Sequence, residues 1–359
     1  MISLNKPIKP NLRRLNQYLS KINDCGWYTN FGPLNEKLTV RLEEYLGVKN
    51  LLLVNNGTTG LQIAGKVLNS HNIITTPFSF VATSSAFAFS GNKLAFSDID
   101  SKSFNLCHER LEEALIGLDK SVNTIVATHV YGNPCKVDAI NELGKKYSKT
   151  IIYDAAQAFG VQHAGQSILN HGDASVLSFH ATKVFHTIEG GAIVFKSEAD
   201  LVKAKSMINF GIEQNTGEIV CAGINGKLSE YHAAVGLVNL EIIDEVIDHR
   251  RALFDYYNHH LSDFIDIPER LSNSESNAAY YPVKLEGKRK LTVLKEALFD
   301  KNIESRNYFS PSLDKIFSTS DQGCPISHKV AESVLCLPMH YYLNFSQLEK
   351  IVSVVKSVL

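Results

Sequence analysis

The sequence predicts an α/β protein: a mostly parallel sheet covered on both faces by helices, followed by a small α+β domain. Three observations support this. Short apolar runs alternate with helix-like stretches from about residue 37 to 200. Several of these runs are apolar throughout, the pattern of strands buried on both faces. A long proline-free stretch of helical spacing then follows before the pattern changes. The chain of 359 residues is too long for one small core and suits two domains, placed at 1–240 and 241–359.

Strands are expected at 51–56, 72–77, 93–100, 123–132, 150–157, 174–180 and 191–196, where runs such as LLLVNN, TIIYDAAQ and GAIVFK are rich in aliphatic residues. The stretch AAVGLVNLEIIDEVIDHRRALFDYYNHHL (233–261) reads as one helix. At about 1.5 Å per residue it would run about 45 Å, longer than a compact domain needs, so it is expected to connect the two domains. Beyond it come a strand at 280–285, a helix at 291–300, a strand near 303–309, another at 334–338 and a closing helix from 346. These make the small α+β domain.

Composition excludes several classes of protein. Lys and Arg number 36 against 37 Asp and Glu, a formal charge of −1, so no global field draws the chain to nucleic acid or an anionic membrane. Any anion must be held locally. The six cysteines (Cys25, Cys107, Cys135, Cys221, Cys324 and Cys336) include no CxxC pair. That argues against a zinc site or a disulfide framework and suits packing residues in a reducing compartment. The first residues carry prolines and charges where a signal peptide has an apolar core, and no segment approaches 18 apolar residues. A cytoplasmic protein is expected, without a membrane span or a metal.

Three stretches carry chemistry. TIIYDAAQAFG (150–160) brings Asp154 to the carboxyl end of a buried strand, where open α/β sheets keep their ligands. A carboxylate there needs a partner, and a cationic ring nitrogen is one. SFHATKVFHTIEGGAIVF (178–195) brings Lys183 past the next strand to the same edge. Set among Phe179, Thr182 and Val184, its ammonium form is disfavoured by desolvation, which frees a neutral amine to condense with a carbonyl. NNGTTGLQIAGKVL (55–68) leads Gly57 and Thr58 into a helix, so free amides and small side chains converge as a phosphate cradle; neither a Walker pattern nor GxGxxG is present. A phosphate cradle, an acid for a ring nitrogen and a lysine for an aldehyde are together what pyridoxal 5′-phosphate requires. Phe80 in TTPFSFVATSS is placed to stack on its ring.

These stretches, with GWYTNFGPL, THVYGNPC, GINGKLSEYHAAVGL and the weaker ESRNYFSP and CLPMH, resemble the sugar aminotransferases of the DegT/DnrJ/EryC1/StrS family along nearly the whole chain. The resemblance implies the aspartate-aminotransferase fold, fold type I, and pyridoxal phosphate as cofactor. It implies that Lys183 binds the cofactor's aldehyde, that Asp154 pairs with its ring nitrogen and that Gln157 bonds its ring hydroxyl. Gly57, Thr58 and Ser178 match phosphate contacts, and Asn225 matches an asparagine that reaches the phosphate from a neighbouring subunit, which implies a homodimer with shared sites. His180 is expected to face the substrate, and Trp27, Tyr28, Tyr308 and His340 are expected on the substrate side. Two places depart from the family's pattern: Ser312-Leu313 stand where many relatives carry Leu-His, and NFG (30–32) differs from the common forms.

The implied reaction takes the amino group of L-glutamate and delivers it to a ketone of a nucleotide-linked sugar. SFHATK is more similar to members that aminate carbon 4 of a 4-keto-6-deoxy hexose, with dTDP-4-keto-6-deoxy-D-glucose the expected substrate, than to those reading SFYPxK that work at carbon 3. The product is a 4-amino-4,6-dideoxy sugar nucleotide for O-antigen or other glycan synthesis. Amination at carbon 3 is the alternative. A sugar dehydratase of the same fold replaces the lysine by histidine, against Lys183, and a non-catalytic cofactor-binding regulator is opposed by Asp154, Gln157, Ser178 and Lys183 occurring together.

Overall fold

The computed structural model describes residues 1–119, 121–318 and 322–359. Helices α1 (Leu12–Cys25) and α2 (Pro33–Leu46) open the chain. Each ends on a glycine at positive φ, Gly26 and Gly47, whose amide bonds back to the preceding turn. Then β1 (Leu51–Val54), α3 (Gly57–Val67), β2 (Asn72–Thr75), α4 (Val81–Phe89), β3 (Lys93–Phe96), α5 (His108–Gly117), β4 (Val122–Thr128), α6 (Val137–Lys146) and β5 (Thr150–Asp154) alternate strand and helix. Short strands β6 (Gln162–His163) and β7 (Gln166–Ser167) precede β8 (Ala174–Ser178), β9 (Gly191–Phe195) and α7 (Glu198–Met207).

Seven of these strands form one sheet in the order β1-β9-β8-β5-β4-β2-β3. Only β9 runs antiparallel to its neighbours; the remaining pairs are parallel, as the apolar runs predict. The carboxyl ends of β1, β2, β4, β5 and β8 therefore share one edge. Side chains alternate between two cores: Leu51 and Leu53 face the layer holding Leu38, Leu42 and Ile140, while Leu52 and Val54 face the layer of Ile63, Ala64, Phe87 and Ala204. Burying each such aliphatic side chain contributes about 1.5–3 kcal/mol, which holds the sheet between its helices.

The helix expected over 233–261 is interrupted. It forms as α8 (Glu230–Leu240) and α9 (Ile243–Leu261), separated where Ile242 leaves helical geometry at φ −120°. Ala233 through Leu240 are buried on every side, whereas α9 has an exposed polar face, so the chain must change direction as it leaves the core. The turn is also held from outside, where the Glu241 carboxylate meets Arg14 of α1 at 2.7 Å. α9 does span two cores. Ile243, Val246 and Ile247 pack beneath the large sheet, and Leu253, Phe254, Tyr257 and Leu261 pack in a second core with Val283, Leu294, Leu335 and Ile351.

That second core is built by β11 (Tyr281–Lys284), α10 (Lys288–Asp300), β12 (Val334–Leu337) and α13 (Phe345–Val358), with α11 (Asp314–Phe317) and α12 (Pro325–Ala331) in the connection. β11 and β12 pair antiparallel, and β10 (Ser274–Glu275) pairs with β6 instead. The strand expected near 303–309 is absent. Ile303 and Arg306 make only single bridges, to Ile2 and Cys336, and the chain then turns away with Tyr308 facing the large sheet. Of the cysteines expected to pack, Cys135, Cys324 and Cys336 are buried, while Cys107 and Cys221 are half-buried and Cys25 is exposed. Among the described residues no helix is long and apolar enough to cross a membrane.

Arg250 of α9 ties the two cores together. Its guanidinium is buried and donates to the carbonyls of Ala278 at 3.1 Å and Ala279 at 2.6 Å, at the approach to β11. Burial lowers its pKa to about 10, so it remains charged at neutral pH. Arg250→Ala strands two buried carbonyls, and we expect urea denaturation to show a loss of about 2–4 kcal/mol in stability.

Candidate active site

The shared strand edge opens into a cleft of about 330 Å³. Gly57 and Thr58 sit in the first turn of α3, where the side chain of Asn56 caps the helix by accepting from the Thr59 amide at 2.8 Å. The amides of Gly57 and Thr58 come before any intrahelical acceptor, so they are left as donors at the positive end of the helix. A Cβ on Gly57 would stand 3.1 Å from the Cβ of Ser178, so this turn approaches the end of β8 as closely as it does because residue 57 is glycine. Ser178 thereby joins the two amides.

Asp154, last residue of β5, is 5% exposed and lines the cleft. Thr83 donates its hydroxyl to Oδ2 at 2.5 Å, and the Ala156 amide donates to Oδ1 at 3.1 Å. Burial nevertheless dominates and pushes its pKa upward, against the lowering effects of Thr83, Ala156 and the charge of Lys183. Lys183 lies in the loop between β8 and β9. Phe179 and Phe185 on either side of it are fully buried and meet edge to face at 4.9 Å, and Phe185 also stacks on Phe159 at 4.5 Å. This anchoring holds the lysine backbone and leaves its side chain in the cleft. Burial lowers its pKa, with Asp154 opposing, which shifts the balance toward the neutral amine. No ion pair joins the two groups among the described residues.

Gln157 accepts from the Tyr131 amide through Oε1 at 2.6 Å, so its NH2 group is its remaining donor in the cleft. Phe80, half exposed at the head of α4, also lines the cleft. His180 sits among the lining residues with Nδ1 accepting from the Thr182 amide at 3.2 Å and Nε2 3.6 Å from Glu189. Tyr308 lines the opposite wall, its ring beneath the guanidinium of Arg306 at 4.8 Å.

Four expected residues are not brought to the cleft within this chain. Asn225 is exposed on the segment before α8, where its carbonyl accepts from Asn55. Trp27 and Tyr28 are about half exposed, and Tyr28 packs by Tyr231. His340 is 3% exposed, and burial with neighbouring Arg250 and Lys6 pushes its pKa down to about 4. Conversely, Ser79, Thr83, Thr128, Glu189, Tyr280 and Arg306 belong to the site or to its hydrogen bonds without having been singled out. Ser79 and Thr83, four residues apart where a helix begins, were the one readable signal among them. Among the described residues no cluster of three His, Cys, Asp or Glu is placed to hold a metal ion.

The residues present fit pyridoxal phosphate. Free helix-terminal amides and a serine suit its phosphate, a buried carboxylate lacking a cation suits its ring nitrogen, and a lysine biased to the neutral form suits its aldehyde. Fold and site define a pyridoxal-phosphate enzyme of the aspartate-aminotransferase type. Residues 12–356 match the DegT/DnrJ/EryC1/StrS aminotransferase family, and the chain belongs to it.

The chain is 39% identical over 368 aligned positions to the dTDP-4-amino-4,6-dideoxy-D-glucose transaminase of Shigella dysenteriae, covering 99% of each. It is 34% identical to the enzyme of the same name from Escherichia coli, covering 96% of this chain and 95% of that one. The UDP-2-acetamido-2-deoxy-3-oxo-D-glucuronate aminotransferase of Pseudomonas aeruginosa is 29% identical, with 89% of each covered. Among solved structures, DesI in the presence of its TDP-sugar product superposes with a TM-score of 0.91 at 27% identity, covering 99% of this chain and 92% of that one.

Two tests follow from the site. Lys183→Ala should keep its fold by circular dichroism yet lose the visible absorption of the bound cofactor on dialysis. The raised pKa of Asp154 makes its ionised form a burden on the cofactor-free protein. Its proton-linked stability is fully present below the unfolded carboxylate value near about 4 and is lost as pH rises through the folded value. Cofactor-free Asp154→Asn should therefore be more stable than cofactor-free wild type at neutral pH, the gap closing as pH falls toward about 4; urea midpoints across that range measure it.

Proposed function

We propose that this aminotransferase moves the amino group of L-glutamate to carbon 4 of a nucleotide-linked 4-keto-6-deoxy hexose, dTDP-4-keto-6-deoxy-D-glucose, in the cytoplasm. The observation that carries this reading is the near full-length match to two dTDP-4-amino-4,6-dideoxy-D-glucose transaminases. The products are 2-oxoglutarate and a 4-amino-4,6-dideoxy sugar nucleotide suited to O-antigen or other glycan synthesis.

When bound, pyridoxal phosphate supplies an aldehyde that accepts the amino group and a ring that draws off electrons. In this reading Gly57, Thr58 and Ser178 hold the phosphate through their donors. Gln157 gives its NH2 to the ring hydroxyl, and Phe80 covers a ring face. Asp154 keeps the ring nitrogen protonated, which a carboxylate in a low-dielectric site does effectively. Lys183, biased toward the free amine by burial, would carry a proton from the α-carbon of glutamate to the cofactor's aldehyde carbon, and in the sugar half-reaction from that carbon to carbon 4 of the sugar. His180, with its ring held by Thr182, and Tyr308 orient the sugar. His340 is enclosed and is left out of the contact set.

A homodimer completes this proposal. Asn225, Trp27 and Tyr28 are exposed and outside the cleft of their own chain, as residues reaching a partner's site must be. Asn225→Ala should then weaken cofactor binding although it touches nothing in its own cleft; a monomer by light scattering with full cofactor occupancy would rule the shared site out.

Amination at carbon 3 remains a second reading because the Pseudomonas aeruginosa relative is named for a 3-oxo substrate. With dTDP-4-keto-6-deoxy-D-glucose and glutamate we expect product NMR to show nitrogen on carbon 4. His180→Ala should slow the sugar half-reaction roughly tenfold, the worth of one polar contact of about 1.4 kcal/mol, and leave the glutamate half-reaction unchanged. Nitrogen on carbon 3, or turnover of a 3-keto substrate alone, would overturn the carbon 4 assignment.

A further inference from the structure

Three hydroxyls stand in line behind Asp154. Thr128, at the end of β4, donates to the Ser79 oxygen at 3.2 Å; Ser79 and Thr83 oxygens are 2.7 Å apart; and Thr83 donates to Asp154 at 2.5 Å. All three residues are buried, Thr83 completely. A hydroxyl has one proton to give. Since Thr83 gives its proton to the carboxylate, Ser79 must give its own to Thr83, and Thr128 its own to Ser79. Every proton in the line points toward Asp154.

The order has a consequence for charge. A proton on Oδ2 of Asp154 would oblige Thr83 to accept there, so Thr83 could no longer donate to the carboxylate and would turn its own proton toward Ser79. Ser79 would then accept from both Thr83 and Thr128, and its own proton would lose the Thr83 oxygen, the one acceptor bonded to it among the described residues. A proton on Oδ1 would meet the Ala156 amide, itself a donor. Both oxygens therefore face donors that favour the ionised form. Each donor polarises the next along such a line, which strengthens the final bond.

We propose that Thr128, Ser79 and Thr83 form a one-way hydroxyl relay that holds Asp154 as a carboxylate aimed into the cleft, with Thr83 a positioning residue for the reaction. The relay opposes the desolvation that pushes the Asp154 proton affinity upward. It also ties β4, the head of α4 and β5 into one polar unit, so the carboxylate keeps its direction when a ligand enters. The proposal rests on Asp154 being the partner of the cofactor ring nitrogen.

The test uses the full chain, with pyridoxal phosphate titrated into cofactor-free protein and the 15N shift of a ring-labelled sample read in the bound state. Thr83→Val removes the donor at nearly constant volume. It should weaken cofactor affinity roughly tenfold, as the loss of one bond to a charged group implies, and move the 15N shift toward that of an unprotonated ring. Thr83→Ser, which keeps the hydroxyl, should stay within about threefold of wild type. Ser79→Ala should fall between the two. Equal losses in Thr83→Val and Thr83→Ser, or a Thr83→Val protein with wild-type affinity and a protonated ring while Asp154→Asn loses both, would overturn the relay. Wild-type affinity and ring protonation in Asp154→Asn would instead overturn the assignment of Asp154 on which the relay rests.

Discussion

A carboxylate buried at the end of a central strand, with no cation bonded to it, is the constraint around which the rest of the site is arranged. Burying an ionised group without a partner is expensive enough that proteins normally pair it or neutralise it. Asp154 has two hydrogen-bond donors but no positive charge within bonding reach. Lys183, the nearest candidate cation, is itself pushed toward neutrality by burial. The two groups face one cleft without meeting, and that separation leaves room between them. β5 lies at the middle of the seven strands, so loops from β4 and β8 flank Asp154 and bring Thr128 and Ser178 to the same edge.

Much of this was readable from particular residues. Asp154 and Lys183 each follow an apolar run, and a run buried on both faces must end at the rim of its sheet. Gly57 stands at a helix start because the turn comes against Ser178, an approach that glycine permits. Local pattern reports such positions because the backbone geometry that creates them is local. The break at Ile242 was not legible, since a run of apolar residues at helical spacing does not reveal whether its two halves face one core or two. Only the burial of α8 on all sides, against the exposed face of α9, makes the change of direction necessary.

The unread part of the site consists of residues whose meaning is set by what lies across from them. Thr83 is one small polar residue among several in TTPFSFVATSS, and only its spacing of four from Ser79 distinguishes it from Ser84 beside it. Yet Thr83 bonds Asp154, whereas the buried Ser84 hydroxyl has no partner among the described residues. Arg306 likewise sits in a segment that resembled a strand, and its place at the cleft follows from the chain leaving β12 after one bridge. Contacts between residues as far apart in sequence as Thr83 and Asp154, 71 positions, cannot be inferred from spacing, however regular the elements that carry them.

The departure at Ser312-Leu313 has a physical account of the same kind. Ser312 is buried and donates to Asp314 at 2.6 Å, while Ser327 bonds the Ser312 oxygen at 2.7 Å and His328 meets the other oxygen of Asp314 at 2.6 Å. Leu313 packs with Phe96 and Cys324. Ser312 thus ties its own loop together and Leu313 packs that loop against Phe96 of β3, so neither side chain is free to reach the cleft. With Leu313 an apolar anchor, Arg306 and Tyr308 are polar groups that this wall does present to the cleft. Those two groups precede the pinned loop by only a few residues, so the bonds of Ser312 and Asp314 limit how far this wall can shift as the cleft fills.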